Sequence, residues 1–482
     1  MGKLIKGKGY SEEAYGEMIK ELFVRFPSFQ KIGAGAYKPG LDRMEFFDSL
    51  AGHPHRRYRT VHIAGTNGKG SVSSMLASVL AAEGFKTGLY TSPHIMDFRE
   101  RMRIIDGSGN GAAADYITKE EVWDFVARWS ETFDHLEMSF FEITTAMAFS
   151  WFADRGVDVA VIETGLGGRL DSTNIITPEL SVITNIGLDH CDMLGETLPE
   201  IAFEKAGIIK PEVPVVVGES DPATDPVFER KVLYSNLSSP VYMGDRTRIM
   251  SLLTFADKVT PSLWDGHAEI LRDMDLKGEY QVKNLRTALA ALDVLKVPCG
   301  DGKVVDAIVN TAARTDFHGR WEKLSDDPYV ICDIGHNAHG LRYNFHQLSS
   351  MLSDGVCTSL IIVYGSVSDK DYESVFPLIP EDASIVFTSA SGRRALPADT
   401  LKQKYADFCS WSGRPAGDVW CAPAVKDAVE LAIGIYRSMA VRPSAQGGSG
   451  SQAGEGGPGP LIYIGGSTYV VSEAVNILQS YQ

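Results

Sequence analysis

Gly65-Thr-Asn-Gly-Lys-Gly-Ser71 sets three glycines, a lysine and a serine within seven residues, directly after the run Thr60-Val-His-Ile-Ala64. These residue types in this order suit phosphate. Glycines let backbone N–H groups turn inward around phosphate oxygens, and a helix opening behind them adds positive potential. Lys69 would neutralise β- and γ-phosphates and the Ser71 hydroxyl would sit on Mg²⁺, with Thr66, Asn67, Gly68 and Gly70 completing the cradle. The loop departs from G-x-x-x-x-G-K-[ST]: one residue fewer separates the glycines, and Gly70 stands between Lys69 and Ser71. A plain Gly-rich turn is the competing reading, and the strand–loop–helix context argues against it.

Other chemistry-bearing residues are weaker taken alone. Glu142 opens an apolar helix, where a carboxylate is costly unless paired or bound to metal; a helix-start acid favoured by the macrodipole is the plainer reading. His190 follows directly after a strand, where ligands gather at sheet C-termini. Gly165-Leu-Gly-Gly-Arg-Leu-Asp-Ser-Thr-Asn174 is a second Gly-rich loop, a tight turn by default. Arg393 and Arg394, after a strand, would suit carboxylates, with two exposed loop arginines as the even alternative.

The elements that must position these groups alternate. Thr60–Ala64, Thr87–Thr91, Val157–Ile162, Ser181–Thr184 and Val213–Val217 read as strands. Gly70–Glu83, with Val72, Met75, Leu76, Val79 and Leu80 on one face, and Phe141–Ala153 read as helices. Gln281–Leu295 is a helix that closes a first domain, and a hinge follows at Phe317-His-Gly-Arg320. From there the pattern restarts, with strands at Val330–Asp333, Ser359–Val363, Ala383–Thr388 and Leu461–Ile464. Helices are expected near Ala338–Leu352, Pro397–Phe408 and Ala424–Met439. The expected fold class is α/β: a P-loop-type, mostly parallel sheet ATPase domain over residues 1–316 and a smaller Rossmann-like α/β domain over 317–482. Ser444–Pro460 is Gly/Ser-rich and reads as a flexible surface loop.

Composition sets outer bounds. At 482 residues the chain exceeds what one hydrophobic core serves, so two domains are expected. Its 46 basic against 62 acidic residues give a net charge of −16, which excludes a global electrostatic grip on nucleic acid or an anionic membrane. Six scattered cysteines without a C-x-x-C pair indicate neither a disulfide framework nor a zinc knuckle. The N-terminus has no apolar signal core, and no apolar run reaches the ~18–20 residues that span a bilayer. A soluble, cytoplasmic protein with reduced thiols is expected.

HIAGTNGKGSV, YTSPHIMDFRERMRI, ETGLGGRLDSTN, ITNIGLDH, EKAGIIKP, LKGEYQVKNLRTALAAL, FHGRWE, DIGHNAHG, YGSVSDKD and IGGSTYVVSEA together resemble the folylpolyglutamate synthase/dihydrofolate synthase family, a branch of the Mur ligases. They fall in order from about residue 10 to the end. The resemblance implies an ATP-dependent ligase adding L-glutamate to dihydropteroate, to reduced folates, or to both, through an acyl phosphate. It implies two Mg²⁺ ions held by Ser71, Glu142, His190 and Lys205, the lysine carbamylated by CO₂ into an oxygen ligand. Asn284 would contact adenine, Arg320 the phosphates, Asp333 the ribose, and His336 the γ-phosphate and acyl centre, with Lys69, Lys205 and His336 catalytic. Ser92, Pro93, His94, Arg101 and Arg394 would bind substrate, with the Gly165 loop as a wall of the site. Small-molecule substrates and a monomer are implied. A cell-wall Mur ligase acting on a nucleotide-sugar peptide is the alternative, but the Ser92 and Gly165 motifs resemble the folate branch. A P-loop switch would instead need a Walker B Asp on a neighbouring strand and no amino-acid site.

Overall fold

The structure, a computed structural model, describes residues 9–26, 38–107, 114–259, 264–297, 302–440 and 458–481. Most of the Gly/Ser-rich segment 444–460 and Cys299 lie outside them. The chain divides into two compact units. The first is Met1–Asp275 with Tyr280–Phe317, and the second is Leu276–Glu279 with His318–Gln482.

The first unit is built on an eight-stranded sheet. Its strands are β1 (Arg59–Ala64), β2 (Lys86–Tyr90), β3 (Met102–Asp106), β4 (Asp115–Tyr116), β5 (Val159–Glu163), β6 (Leu180–Ile183), β7 (Val215–Val217) and β8 (Leu253–Phe255). Their order is β4-β3-β2-β5-β1-β6-β7-β8. From β2 to β8 every pair is parallel; β3 and β4 add an antiparallel edge. The C-terminal ends of β2, β5, β1, β6 and β7 therefore share one edge. Along β1 the neighbours on either side, β5 and β6, come later in the chain, the strand-order reversal beside which α/β sheets bind ligands.

Helix Lys69–Ala82 differs from the amphipathic reading. Every residue from Gly70 to Ala81 is buried, because the helix lies on β2 and β5 and is covered by helices Gln281–Val294, Gly302–Val309 and Thr311–Thr315. The small side chains Ser71, Ser73, Ser74 and Ser78 permit that close cover, and each buried Leu or Val contributes about 1.5–3 kcal/mol. The last two of those helices belong to the first unit, so Gln281–Val294 does not close it. Helices Glu12–Arg25, Lys119–His135 and Phe140–Asp154 contribute to a separate aromatic-rich core that includes Phe47, Phe133, Phe149 and Phe152, with Tyr90, Ala160 and Ile162 of the sheet.

The second unit carries a six-stranded sheet, ordered β13-β12-β11-β14-β10-β9, of β9 (Glu322–Asp326), β10 (Tyr329–Cys332), β11 (Leu360–Tyr364), β12 (Ala383–Thr388), β13 (Val419–Ala422) and β14 (Leu461–Gly465). All pairs are parallel except β9 with β10. Helices Ala338–Ser353, Ala398–Ser412, Val425–Ala440 and Thr468–Gln479 cover it. Among the described residues no helix is long and apolar enough to cross a membrane.

Candidate functional site

The loop after β1 is braced on one side by the loop after β6. Thr66 N–H donates to Asn185 O at 3.0 Å and Asn67 N–H to Asn185 Oδ1 at 2.9 Å. Thr66 Oγ1 donates to Gly187 O, and Thr184 Oγ1 donates to Asn67 O at 2.6 Å. Gly68 adopts φ +82°, and a Cβ there would lie 2.2 Å from Asn284 Oδ1. Only glycine meets both demands. Asn284 and Gln281 thus sit directly against this loop, and Gln281 Nε2 donates to Ser71 Oγ.

Lys69 is half-buried, not held out in an exposed loop. It opens the helix, and its Nζ donates to Gly65 O (3.0 Å) and Thr66 O (3.3 Å). Lys205, at the last position of helix Leu198–Lys205, is buried at 4% exposure, and its Nζ also donates to Gly65 O, at 2.9 Å. Two ammonium groups thus converge on one carbonyl oxygen.

Glu142 does not sit as expected for a metal ligand. It is the third residue of helix Phe140–Asp154, and one oxygen accepts the Ser139 N–H while the Ser139 hydroxyl accepts the Glu142 N–H, a reciprocal cap. Its other oxygen accepts from Arg43 Nε at 2.9 Å. Both oxygens are engaged and a cation already neutralises the charge. The buried carboxylate that sequence reasoning passed over is Glu163, the last residue of β5, whose Oε2 accepts the Ser92 N–H. Beside it Thr164 Oγ1 is buried without a partner. An acid closing a β-rich run just before a Gly-rich loop was the available signal. His190 lies beyond β6, half-buried, in a left-handed conformation that starts a short helix. Its Nε2 is 3.8 Å from Asp189 Oδ2.

The Gly165 loop is pinned by Asp171. One oxygen accepts the Gly165 and Leu166 N–H groups at 2.9 Å each; the other accepts from Thr173 N–H and hydroxyl. Burial nevertheless raises the Asp171 pKa. Thr173 Oγ1 in turn accepts from His62 Nε2 on β1. His62 is fully buried, and burial with the charge of Lys210 pushes its pKa down to about 3. The folded pKa lies below the ordinary 6.5, so the unfolded chain takes up that proton first. The resulting stability is present above about pH 6.5 and is lost as pH falls toward about 3. Melting temperature should drop steadily between about pH 6 and pH 4. His62→Gln, which keeps a hydrogen-bonding group for Thr173, should flatten that slope, and an unchanged slope counts against the assignment.

Beyond β2, the loop Ser92–Phe98 is tied down by Glu100, which accepts the N–H groups of Ile95, Met96 and Asp97 at 2.6–2.7 Å. Arg101 Nε donates to His94 Nδ1 at 2.9 Å, which leaves the ring proton on Nε2. Burial, then the Arg101 charge, lowers the His94 pKa to about 3. Phe23 stacks on Phe140 at 4.4 Å and meets His94 edge-on, and Arg101 lies over Phe140. His94 and Arg101 thus share one apolar-walled corner with a fixed donor, while Ser92 is tied to Glu163 and Pro93 is exposed.

In the second unit, Asp333 follows β10, and its carboxylate accepts the Trp321 and Gly335 N–H groups. It does not cap helix Ala338–Ser353; Asn337 does. Arg320 Nη1 donates to Gly319 O, and His336 Nδ1 is 3.1 Å from Ile334 O. Arg394 is not an exposed loop arginine: its guanidinium pairs with Asp369, whereas Arg393 is exposed.

Residues 63–292, which hold the P-loop-type turn at the strand-order reversal of the parallel sheet, match the Mur ligase middle domain. The chain belongs to the folylpolyglutamate synthase/dihydrofolate synthase family. It is 33% identical over 410 residues to folylpolyglutamate synthase of Lacticaseibacillus casei, covering 82% of this chain and 92% of that one. It is 32% identical to dihydrofolate synthase/folylpolyglutamate synthase of Bacillus subtilis, covering 78% and 87%. Folylpolyglutamate synthase of Mycobacterium tuberculosis, solved in complex with ADP and AMPPCP, superposes with a TM-score of 0.76 at 27% identity, over 97% of this chain and 99% of that one.

Proposed function

We propose that this chain is an ATP-dependent ligase joining L-glutamate to dihydropteroate and to reduced folates, releasing ADP and phosphate. The observation that carries the reading is the phosphate loop at the edge of β1, with two lysines on it, in a chain a third identical to a folylpolyglutamate synthase over most of both lengths. The first unit would hold ATP and folate, and the second would serve glutamate ligation.

A carboxylate is a poor electrophile, so the substrate's carboxylate oxygen first attacks the γ-phosphorus and ADP leaves. The glutamate amine then attacks the acyl carbon, loses its proton, and phosphate departs. Lys69 supplies charge to the transferring phosphoryl group, and the N–H groups of the loop orient it. His94, as an Nε2–H donor beside Phe23 and Phe140, would orient the folate ring system with Ser92, Pro93 and Arg101. We assign Asn284 to adenine, and Arg320, Asp333 and His336 to the phosphates, ribose and acyl centre. Arg394, held by Asp369 with further N–H donors to offer, and exposed Arg393 are both candidates for the glutamate carboxylate.

For Mg²⁺ the donor set fits: Ser71 Oγ, the buried Glu163 carboxylate, Thr164 Oγ1 and His190 include the hard oxygens this ion takes. When bound, Mg²⁺ neutralises charge on the transferring group. We assign the acidic ligand to Glu163 in place of Glu142, and a carbamate to Lys205 as a further oxygen donor for a second ion. Glu163→Gln should lower kcat by about two orders of magnitude with little change in melting temperature. Glu142→Gln should instead cost roughly 1–3 kcal/mol of stability, since it weakens the Arg43 pair and the cap, and keep most of its activity. The reverse pattern restores Glu142 as the ligand.

The deciding experiment is labelled-glutamate incorporation with ATP and either dihydropteroate or tetrahydrofolate. ADP release that requires both glutamate and a pteroate is the expected result; ATP turnover indifferent to both overturns the proposal.

A further inference from the structure

Asn185 joins Thr184 and Gly187 in holding the phosphate loop from the loop after β6, and its amide must point one way to do so. Its Oδ1 accepts the Asn67 N–H, so its Nδ2 must face the other side, where it donates to Glu219 Oε1 at 3.1 Å. Glu219 Oε2 accepts from Lys283 Nζ on helix Gln281–Val294. A carboxylate only accepts, so Glu219 forbids the flipped amide, which would set an NH₂ against the Asn67 N–H.

The sequence arranges this meeting locally. β6 and β7 are parallel and in register at Ile183 and Val217, so Asn185 and Glu219 emerge side by side two residues later. Gly218, directly before Glu219, has no room for a side chain: a Cβ would lie 2.3 Å from Thr184 O and 2.4 Å from Thr287 Oγ1. That close approach brings the end of β7 against β6 and against the helix that carries Lys283 and Asn284.

As a stabilising contact the pair is weak. The Glu219 and Lys283 side chains are 24% and 42% exposed, and partly exposed ion pairs contribute little. Its position explains it better. Resting on the ATP-site reading, we infer that Glu219 and Lys283 are positioning residues for the phosphate loop. Glu219 locks the Asn185 amide in the orientation that accepts the Asn67 N–H, and Lys283 cancels a negative charge that would otherwise face a loop built for an anion.

The test is calorimetric titration of the full chain with AMPPNP and Mg²⁺, with melting temperature as a check on folding and steady-state kinetics alongside. Glu219→Ala should raise Kd about tenfold, and Glu219→Gln, which still accepts from Asn185, should stay within about threefold of wild type. Lys283→Met leaves the carboxylate uncompensated and should weaken binding about tenfold, whereas Glu219→Gln combined with Lys283→Met should recover to within about threefold. KM for ATP should follow Kd while kcat changes less, a split that a loss of general stability does not produce. Folded Glu219→Ala protein within about twofold of wild type, Glu219→Gln as weak as Glu219→Ala, or a double variant as weak as Lys283→Met would each overturn the inference alone. Wild-type protein that binds no AMPPNP would overturn the ATP-site reading and this inference with it.

Discussion

Lys69→Ala should lose about two to three orders of magnitude in kcat/KM for ATP while the protein stays folded. Lys69 Nζ now rests on Gly65 O and Thr66 O, two carbonyls of its own loop. A triphosphate in that loop offers the ammonium a stronger, charged partner and the carbonyls lose nothing that water does not supply. The interaction with the transferring phosphoryl group grows as charge develops on it, so the loss should fall on kcat as well as on KM. Alanine is compatible with a helix, and the lost hydrogen bonds are worth about 1 kcal/mol each. Melting temperature should therefore move by only a few degrees, about 2–4 °C per kcal/mol for domains of this size. Turnover above a few per cent of wild type in the folded variant would remove Lys69 from the phosphate site.

Where periodicity and loop chemistry coincide, the sequence was transparent. β12 spans Ala383–Thr388 as read, and the Gly65–Ser71 loop joins β1 to a helix. β1 and β12 are almost wholly buried along their length, so the composition of such strands mirrors their tertiary environment. β9, with the residues Glu-Lys-Leu-Ser-Asp, carries no such pattern: it is a half-exposed antiparallel edge, and edge strands need little apolar content. Glu142 is a different case. Ser139-Phe-Phe-Glu142 is a legible capping signature, and the structure forms that cap. Glu163 and the Glu219–Asn185 contact depend on which strands lie side by side, and Lys205 reaches a carbonyl 140 positions away. No local pattern encodes strand order.

Lys205→Ala should be nearly inactive, down by about two to three orders of magnitude, and acetate should restore part of the loss. The reason lies in the two ammonium groups on Gly65 O, at 3.0 and 2.9 Å. Two like charges sharing one acceptor, one of them buried, repel, and each raises the cost of placing a divalent cation nearby. In the proposed carbamate, the Lys205 amine would attack CO₂, forming an N–C bond and releasing a proton. One of the positive charges would be replaced by a carboxylate-like group with two oxygens of the kind Mg²⁺ accepts. Acetate fits the space that Lys205→Ala vacates and carries the same two oxygens, so rescue should be selective for short carboxylic acids. Lys205→Arg should not be rescued, because its side chain fills the space and keeps the charge. Carbon-13 NMR with labelled bicarbonate reads the modification directly. A carbamate signal should appear in active, Mg²⁺-bound wild-type protein and vanish in Lys205→Ala. Its absence from the active protein would mean that Lys205 works as an ammonium, held on Gly65 O to brace the loop whose other lysine handles the phosphate.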